Sequence, residues 1–228
     1  MTNQITIGEK IINQNNKTPA GTLSRYFCNW ERFLSNSFVL NIVRSGYKIQ
    51  LNHKNVFIHK MITIPSKSKR PLILKEIEKH LSSGVISKIT PLNSDIVSRI
   101  FSVPKPNGKL RIIIDLSYLN KFIRKISFKM EEKNAIKSII GKNDFMVSID
   151  LKDAFSTISL HPDSRRYTCF ELDGVRYCYN TLPFGLTSSP RVFTKVFKPV
   201  ISHLRTRGIK ITSYLDDILL SNVSFESL

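Results

Sequence analysis

Two adjacent aspartates, Asp216 and Asp217, constrain this chain more than any other feature. They stand between the stretches Ile209-Lys210-Ile211-Thr212-Ser213 and Ile218-Leu219-Leu220. Alternation before the acids, and a β-branched-to-leucine run after them, predict a hairpin with Tyr214-Leu215-Asp216-Asp217 at its tip. Side-by-side carboxylates at a tight turn repel unless a cation offsets them. A solvent-facing turn is the plainer reading, since Asp is a common turn residue. A third carboxylate shifts the balance, because Asp150 closes another apolar strand, Phe145-Met146-Val147-Ser148-Ile149. Two neighbouring strand ends that deliver Asp150, Asp216 and Asp217 to one place make a hard-oxygen site suited to two Mg²⁺ ions, with Mn²⁺ able to substitute.

Charge points to the kind of partner. The 228 residues carry 35 Lys and Arg against 17 Asp and Glu, a net charge of +18. With 41% hydrophobic residues, that balance favours a folded polyanion binder over a disordered tail. The length allows one sizeable core or two small subdomains. No stretch resembles a signal peptide and no apolar run is long enough to span a bilayer, so no membrane role is expected. Cys28, Cys169 and Cys178 show no zinc spacing and suit a reducing compartment. The expected location is intracellular, with cytoplasm and nucleus both open. A two-residue turn at Asp173-Gly174 would set Cys169 and Cys178 opposite each other as reduced packing thiols.

Read in order, residues 1–20 lack any sustained period and are expected to form a flexible leader. Residues 21–70 read as an N-terminal extension: Leu23, Phe27, Trp30 and Leu34 keep helical spacing, the run Phe38 to Val43 ends at Ser45-Gly46, and Tyr47 to Leu51 reads as a strand. Leu74, Ile77 and Leu81 mark an amphipathic helix stopped by Gly84. A hairpin follows, its arms Ile100 to Val103 and Leu110 to Leu116 joined through Asn107-Gly108. Lys105, Lys109 and Arg111 on or beside its tip fit either a solvated turn or a basic flap over a triphosphate. A Lys-rich helix is expected around Glu131 to Ile140. After the strand ending at Asp150 comes a second hairpin, Thr168 to Leu172 with Val175 to Tyr179. Ser189 and Pro190 then open a helix as N-cap and first-turn residue. Its predicted buried stripe is Val192, Phe193, Val196, Phe197, Val200 and Leu204, with a kink or break at Pro199. This order predicts an α+β fold with an antiparallel sheet packed on helices.

With those residues placed, the chain resembles a retroelement reverse transcriptase from about Leu72 to Leu220. The resemblance rests on Lys109-Leu110-Arg111, Asp115-Leu116 with Leu119-Asn120, Ile149-Asp150-Leu151-Lys152-Asp153-Ala154-Phe155, Leu182-Pro183-Phe184-Gly185-Leu186, Ser189-Pro190 and Tyr214-Leu215-Asp216-Asp217. Each motif alone is weak; their order is specific. The wording Asp115-Leu116-Ser117-Tyr118-Leu119-Asn120 is most similar to DIRS-type elements, with Ty3/gypsy-like elements second.

The resemblance implies fingers at 71–144, a palm at 145–228, and RNA-directed DNA polymerase activity on a primer-template and dNTPs. It implies that Asp150, Asp216 and Asp217, with the Leu151 backbone, hold the two metal ions. It places Lys105 and Arg111 on the incoming triphosphate and the backbone of Asp153 and Ala154 against its phosphates. Phe155 would stand against the sugar 2′ position and exclude a hydroxyl, unless it is simply a core aromatic. Phe184 and Gly185 would line the nucleotide pocket, and Tyr214 and Leu215 would meet the primer terminus.

The family places a primer grip and thumb after the aspartate pair, and this sequence ends eleven residues past Asp217. The expectation is therefore a truncated retroelement product, weak or inactive alone, without a thumb. A catalytically silent remnant that binds nucleic acid through its basic charge is the competing reading. A two-metal nuclease fits less well, since no His or Glu stands near the acids to activate water.

Overall fold

The computed structural model describes residues 20–52, 60–104, 110–131 and 133–224. The expected leader at 1–19, the Asn107-Gly108 turn, Lys105 and Lys109 lie outside them.

A 3₁₀ helix, Thr22–Tyr26, runs into α1 (Phe27–Phe33), followed by α2 (Ser37–Ser45). Asn36 caps α2 by accepting the Val39 N–H at 3.2 Å. Gly46 ends it at φ +87°, where an added Cβ would lie 2.7 Å from the backbone of Leu160 and His161. Only glycine combines that dihedral with that close approach. Tyr47 to Leu51 does not form the expected strand. It holds isolated bridges, Tyr47 to Leu160 and Leu51 to Ile123, because its two ends pair with different segments and no ladder can propagate between them.

α3 (Arg70–Ser82) buries Ile73 and Ile77, and Gly84 follows at φ +71°. Then come β1 (Ile86–Lys88), β2 (Val97–Ser98), β3 (Ile100–Pro104), β4 (Leu110–Ile114), α4 (Ser117–Asn120) and α5 (Lys133–Ile139). The second half holds β5 (Phe145–Asp150), a 3₁₀ turn at Ala154–Thr157, α6 (Pro162–Arg165), β6 (Cys169–Leu172), β7 (Val175–Tyr179), α7 (Ser189–Thr206), β8 (Lys210–Tyr214) and β9 (Asp217–Asn222).

Among the described residues the strands form three sheets, in the orders β1-β7-β6-β2, β3-β4 and β5-β9-β8. Among these described strands the ladders are antiparallel except that of β2 with β6. The four-stranded sheet takes β1 and β2 from before residue 145 and β6 and β7 from after it. At the β6–β7 turn, Asp173 and Gly174 both have positive φ, as a type I′ hairpin requires. Cys169 and Cys178 are thereby cross-strand partners, buried and unoxidised.

Among the described residues one apolar cluster joins α2, α3, β4, the segment around Leu160, the four-stranded sheet and α7 into a single main core. The β5-β9-β8 sheet packs on α7 through a smaller cluster of Ile201, Ile211 and Ile218. Ile201 extends the predicted stripe of α7. Pro199 does not break that helix. The bond it forgoes would have gone to the carbonyl of exposed Lys195, which water can satisfy. Ser188, not Ser189, occupies the N-cap. Ser189 is buried and its hydroxyl donates to Pro183 O at 3.0 Å.

An ionic network centred on buried Asp95 and Arg176 runs through the four-stranded sheet. Asp95 accepts from Arg166 at 2.8 Å and from buried Arg176 at 2.9 Å, and Arg176 also donates to Glu171 at 2.6 Å. Charges removed from water survive only when paired and hydrogen-bonded in this way. The network locks the β1–β2 connection onto the β6–β7 hairpin.

Candidate active site

Antiparallel register brings the acids together. Asp150, last in β5, is the cross-strand partner of Asp217, first in β9. Tyr214 pairs with Asp217 across the β8–β9 turn, which leaves Leu215 and Asp216 as its two central residues. The chain leaving β5 is tied to that turn, since Leu151 N–H donates to Asp216 O at 2.9 Å. Leu215 sits at φ +54°. For a residue with a branched side chain that left-handed conformation costs about 1–2 kcal/mol. Such strain concentrates where surrounding structure holds a turn for a purpose.

The backbone therefore meets the expectation of convergence, and the side chains meet it only in part. Asp150 and Asp216 line one cleft, while Asp217 and Tyr214 line a neighbouring cavity. Asp216 is in the turn and Asp217 is already in β9, so their side chains leave in different directions. Among the described residues, no three His, Cys, Asp or Glu side chains close into a metal-holding group. The donor set still fits a hard divalent cation. All three are carboxylates, Asp150 and Asp217 are exposed, and none forms an ion pair among the described residues.

The cleft has a volume of ≈ 580 Å³, within the range of small-molecule sites. It gathers Arg111, Asp153, Ala154, Phe155, Phe184 and Gly185, every described residue assigned to the nucleotide, together with Leu151, assigned to the metal ions, and Leu215, assigned to the primer. β4 presents exposed Arg111, whose guanidinium lies 5.1 Å from the Phe184 ring centroid, within cation–π range. Asp153, at φ +52°, turns the chain into the 3₁₀ segment, and Ser156 N–H returns to its carbonyl at 2.9 Å. Phe155 is 9% exposed, its ring 5.1 Å from Phe184 and 5.5 Å from Phe193. It is a packed residue and a cleft wall at once. Tyr214, 53% exposed, stands outside the cleft.

Asn120 belongs to this site with a role the motif did not specify. Its amide donates to Gly185 O at 2.8 Å and accepts from Thr187 N–H at 2.9 Å, which staples the Phe184–Gly185 loop to α4. Gly185, at φ +91°, comes so near β4 that a Cβ would lie 3.1 Å from Ile114 O. From α3, Glu76, Lys79 and His80 also line the cleft. No local signal marks them, because the α3 pattern reports only the buried face.

An acid-ended antiparallel sheet backed by helices, with a hairpin that presents Arg111 to its cleft, is the fingers-and-palm arrangement of a nucleotide polymerase. The family described as reverse transcriptase (RNA-dependent DNA polymerase) matches residues 103–228, and the chain belongs to it. Similar curated proteins include the Pro-Pol polyprotein of Simian foamy virus type 1, 29% identical over 153 residues that cover 67% of this chain and 13% of that protein. Another is the Genome polyprotein of Petunia vein clearing virus, 30% identical over 146 residues, or 60% of this chain and 6% of that one. Among solved structures, the native Prototype Foamy Virus Protease-Reverse Transcriptase matches with a TM-score of 0.64 and 25% identity, over 79% of this chain and 24% of that chain. The chain thus spans a small fraction of the length of these relatives. Members of the family act on a nucleic-acid primer-template and deoxynucleotides, and use divalent metal ions.

Proposed function

We propose that this chain carries the site of an RNA-directed DNA polymerase, which adds deoxynucleotides to a primer 3′ end. The observation that supports it best is the register of Asp150 against Asp217, with Asp216 O bonded to Leu151 N–H, at the mouth of a cleft that gathers the nucleotide-binding motifs. Asp150, Asp216 and Asp217, with the Leu151 carbonyl, would hold two Mg²⁺ ions. Bound there, such ions activate the 3′-hydroxyl and neutralise the triphosphate and the leaving oxygen.

The protein groups supply position and charge, which is most of what nucleotidyl transfer asks of them. Arg111, and Lys105 from outside the described residues, offset the triphosphate charge. Amides at Asp153 and Ala154 face its phosphates. Phe155 closes the space beside the sugar 2′ carbon, Phe184 and Gly185 wall the base side, and Tyr214 and Leu215 support the primer terminus. We assign residues 71–144 to fingers and 145–228 to palm on the motif order, and a DIRS-type source on the Asp115–Asn120 wording, with Ty3/gypsy second. Three free cysteines suit an intracellular site.

The incomplete gathering of carboxylate side chains favours one second reading, a silent remnant that binds nucleic acid through its +18 charge. Primer extension on a primed RNA template, with dNTPs and Mg²⁺ or Mn²⁺, separates the two. Wild type should extend weakly and Asp216→Asn not at all. Equal extension by both sinks the polymerase reading, and binding by both with extension by neither establishes the remnant.

A further inference from the structure

β8 carries the acid-tipped turn and, among the described residues, is an outer strand of its sheet, in the order β5-β9-β8. Tyr214 and Asp217 close a two-residue turn and so form a hydrogen-bonded pair. Bonded and non-bonded pairs alternate along an antiparallel ladder, so the Ser213 N–H and the Ile211 carbonyl point away from β9. An outer edge left in this state is poorly held, and buried edge groups without partners are costly.

Both groups are taken by charged side chains from elsewhere in the chain. Glu131 accepts the Ser213 N–H at 3.1 Å and also the hydroxyl of buried Thr212. Arg205, near the end of α7, donates to Ile211 O from Nε at 2.9 Å and from a terminal nitrogen at 2.7 Å. That terminal nitrogen lies 2.7 Å from the Glu131 carboxylate. Burial works against the Glu131 charge, but bonds from Thr212, Ser213 and Arg205 outweigh it and leave the carboxyl below its ordinary range. Glu131, Arg205, Ser213 and the strained Leu215 line one small cavity, so the pair and the turn share a single structural corner.

We propose that Glu131 and Arg205 form a positioning clamp that bonds the outer edge of β8 as a neighbouring strand would and holds the Tyr214–Asp217 turn in register with Asp150. The clamp touches neither substrate nor reacting atoms. It acts through the turn, and its effect on rate rests on the polymerase reading above. Misplacing a catalytic group by about 1 Å costs roughly 10²-fold in rate, so a loosened turn lowers kcat while nucleotide contacts elsewhere in the cleft are untouched.

The test compares wild type with Arg205→Ala, Arg205→Lys and Glu131→Gln by residue-resolved hydrogen exchange and by steady-state extension. In Arg205→Ala the amides of Ser213 and Leu151 should exchange at least about tenfold faster, while β6–β7 amides keep wild-type protection. Its kcat should fall by about 10- to 100-fold, with the dNTP KM within about twofold of wild type. Arg205→Lys keeps the charge but cannot bridge both acceptors and should fall between the two. Glu131→Gln keeps an acceptor for Ser213 and should recover most of the Ser213 protection. Unchanged exchange at Ser213 and Leu151 in Arg205→Ala overturns the clamp, and so does loss of protection across the whole molecule in both milder variants. If wild type extends nothing, the polymerase reading fails by itself, and the exchange measurement still decides the clamp.

Discussion

Replacing Phe155 with alanine tests packing and selectivity at one position. The ring is nearly buried between Phe184 and Phe193, at 5.1 and 5.5 Å. Deleting a buried phenylalanine side chain costs about 3–5 kcal/mol, with the spread set by how far the site collapses or fills. One side of this ring faces a cleft that water can enter, which places the cost in the lower part of that range, about 3–4 kcal/mol. A domain of this size loses about 2–4 °C of melting temperature per kcal/mol, so the midpoint should fall by roughly 6–16 °C. Phe155→Leu keeps more of the volume, should cost about 1–2 kcal/mol, and provides a folded variant for kinetics. Both changes open space where a ribose hydroxyl would sit. The ratio of kcat/KM for a deoxynucleotide to that for its ribonucleotide should drop at least about tenfold, equivalent to ~1.4 kcal/mol of lost discrimination. Calorimetry measures the first effect, and single-nucleotide incorporation with dATP and ATP the second. A melting loss under about 3 °C would show that the ring is not packed as described. An unchanged ratio in a folded Phe155→Leu enzyme would refute the gate.

Other expectations follow from the same geometry. Arg176→Met leaves buried Asp95 with the partly exposed Arg166 alone among its described cationic partners, and should cost about 3 kcal/mol in urea denaturation; a loss below about 1 kcal/mol refutes the role given to the network. Gly46→Ala combines a left-handed backbone with a 2.7 Å approach to Leu160 and His161, so a loss of more than about 2 kcal/mol is expected. A near-wild-type midpoint would contradict that approach. Asp144 accepts from Ser221, Gly141 N–H and Lys210, which hold its carboxyl at about 2 against an ordinary 3.8. A depressed folded-state pKa means stability that is present above about pH 4 and lost as pH falls toward about 2. The difference in urea midpoint between wild type and Asp144→Asn should therefore shrink over that window, and a difference independent of pH counts against the assignment.

The register at the site explains why so much of it was legible from local pattern. Strand alternation around Asp150 and Asp216-Asp217 specified two strands that end in acid, and an antiparallel pairing of those ends needs only that the apolar faces match. Gly46, Gly84 and Asp173-Gly174 announced their turns because positive φ leaves few residue choices. Where the reading failed, the deciding partner was remote. Tyr47 to Leu51 has the composition of a strand, yet its ends meet Leu160 and Ile123 separately. Pro199 would weaken an isolated helix, but the packing of Val196 and Ile201 carries α7 through it. Ser189 has the residue type of a cap and was drawn instead to Pro183 O.

By itself the amino-acid sequence determined the family, the α+β class, the order of elements and which carboxylates close which strands, since these depend on residue type and on spacing along the chain. Only the tertiary structure decided that Asp150 stands opposite Asp217 while Asp216 opens to the cleft, that Asn120 staples the Phe184–Gly185 loop, and that Glu131 and Arg205 meet on the edge of β8. Those facts join residues as many as 82 positions apart, and such distant partners are chosen by how sheets and helices stack, which no local periodicity records.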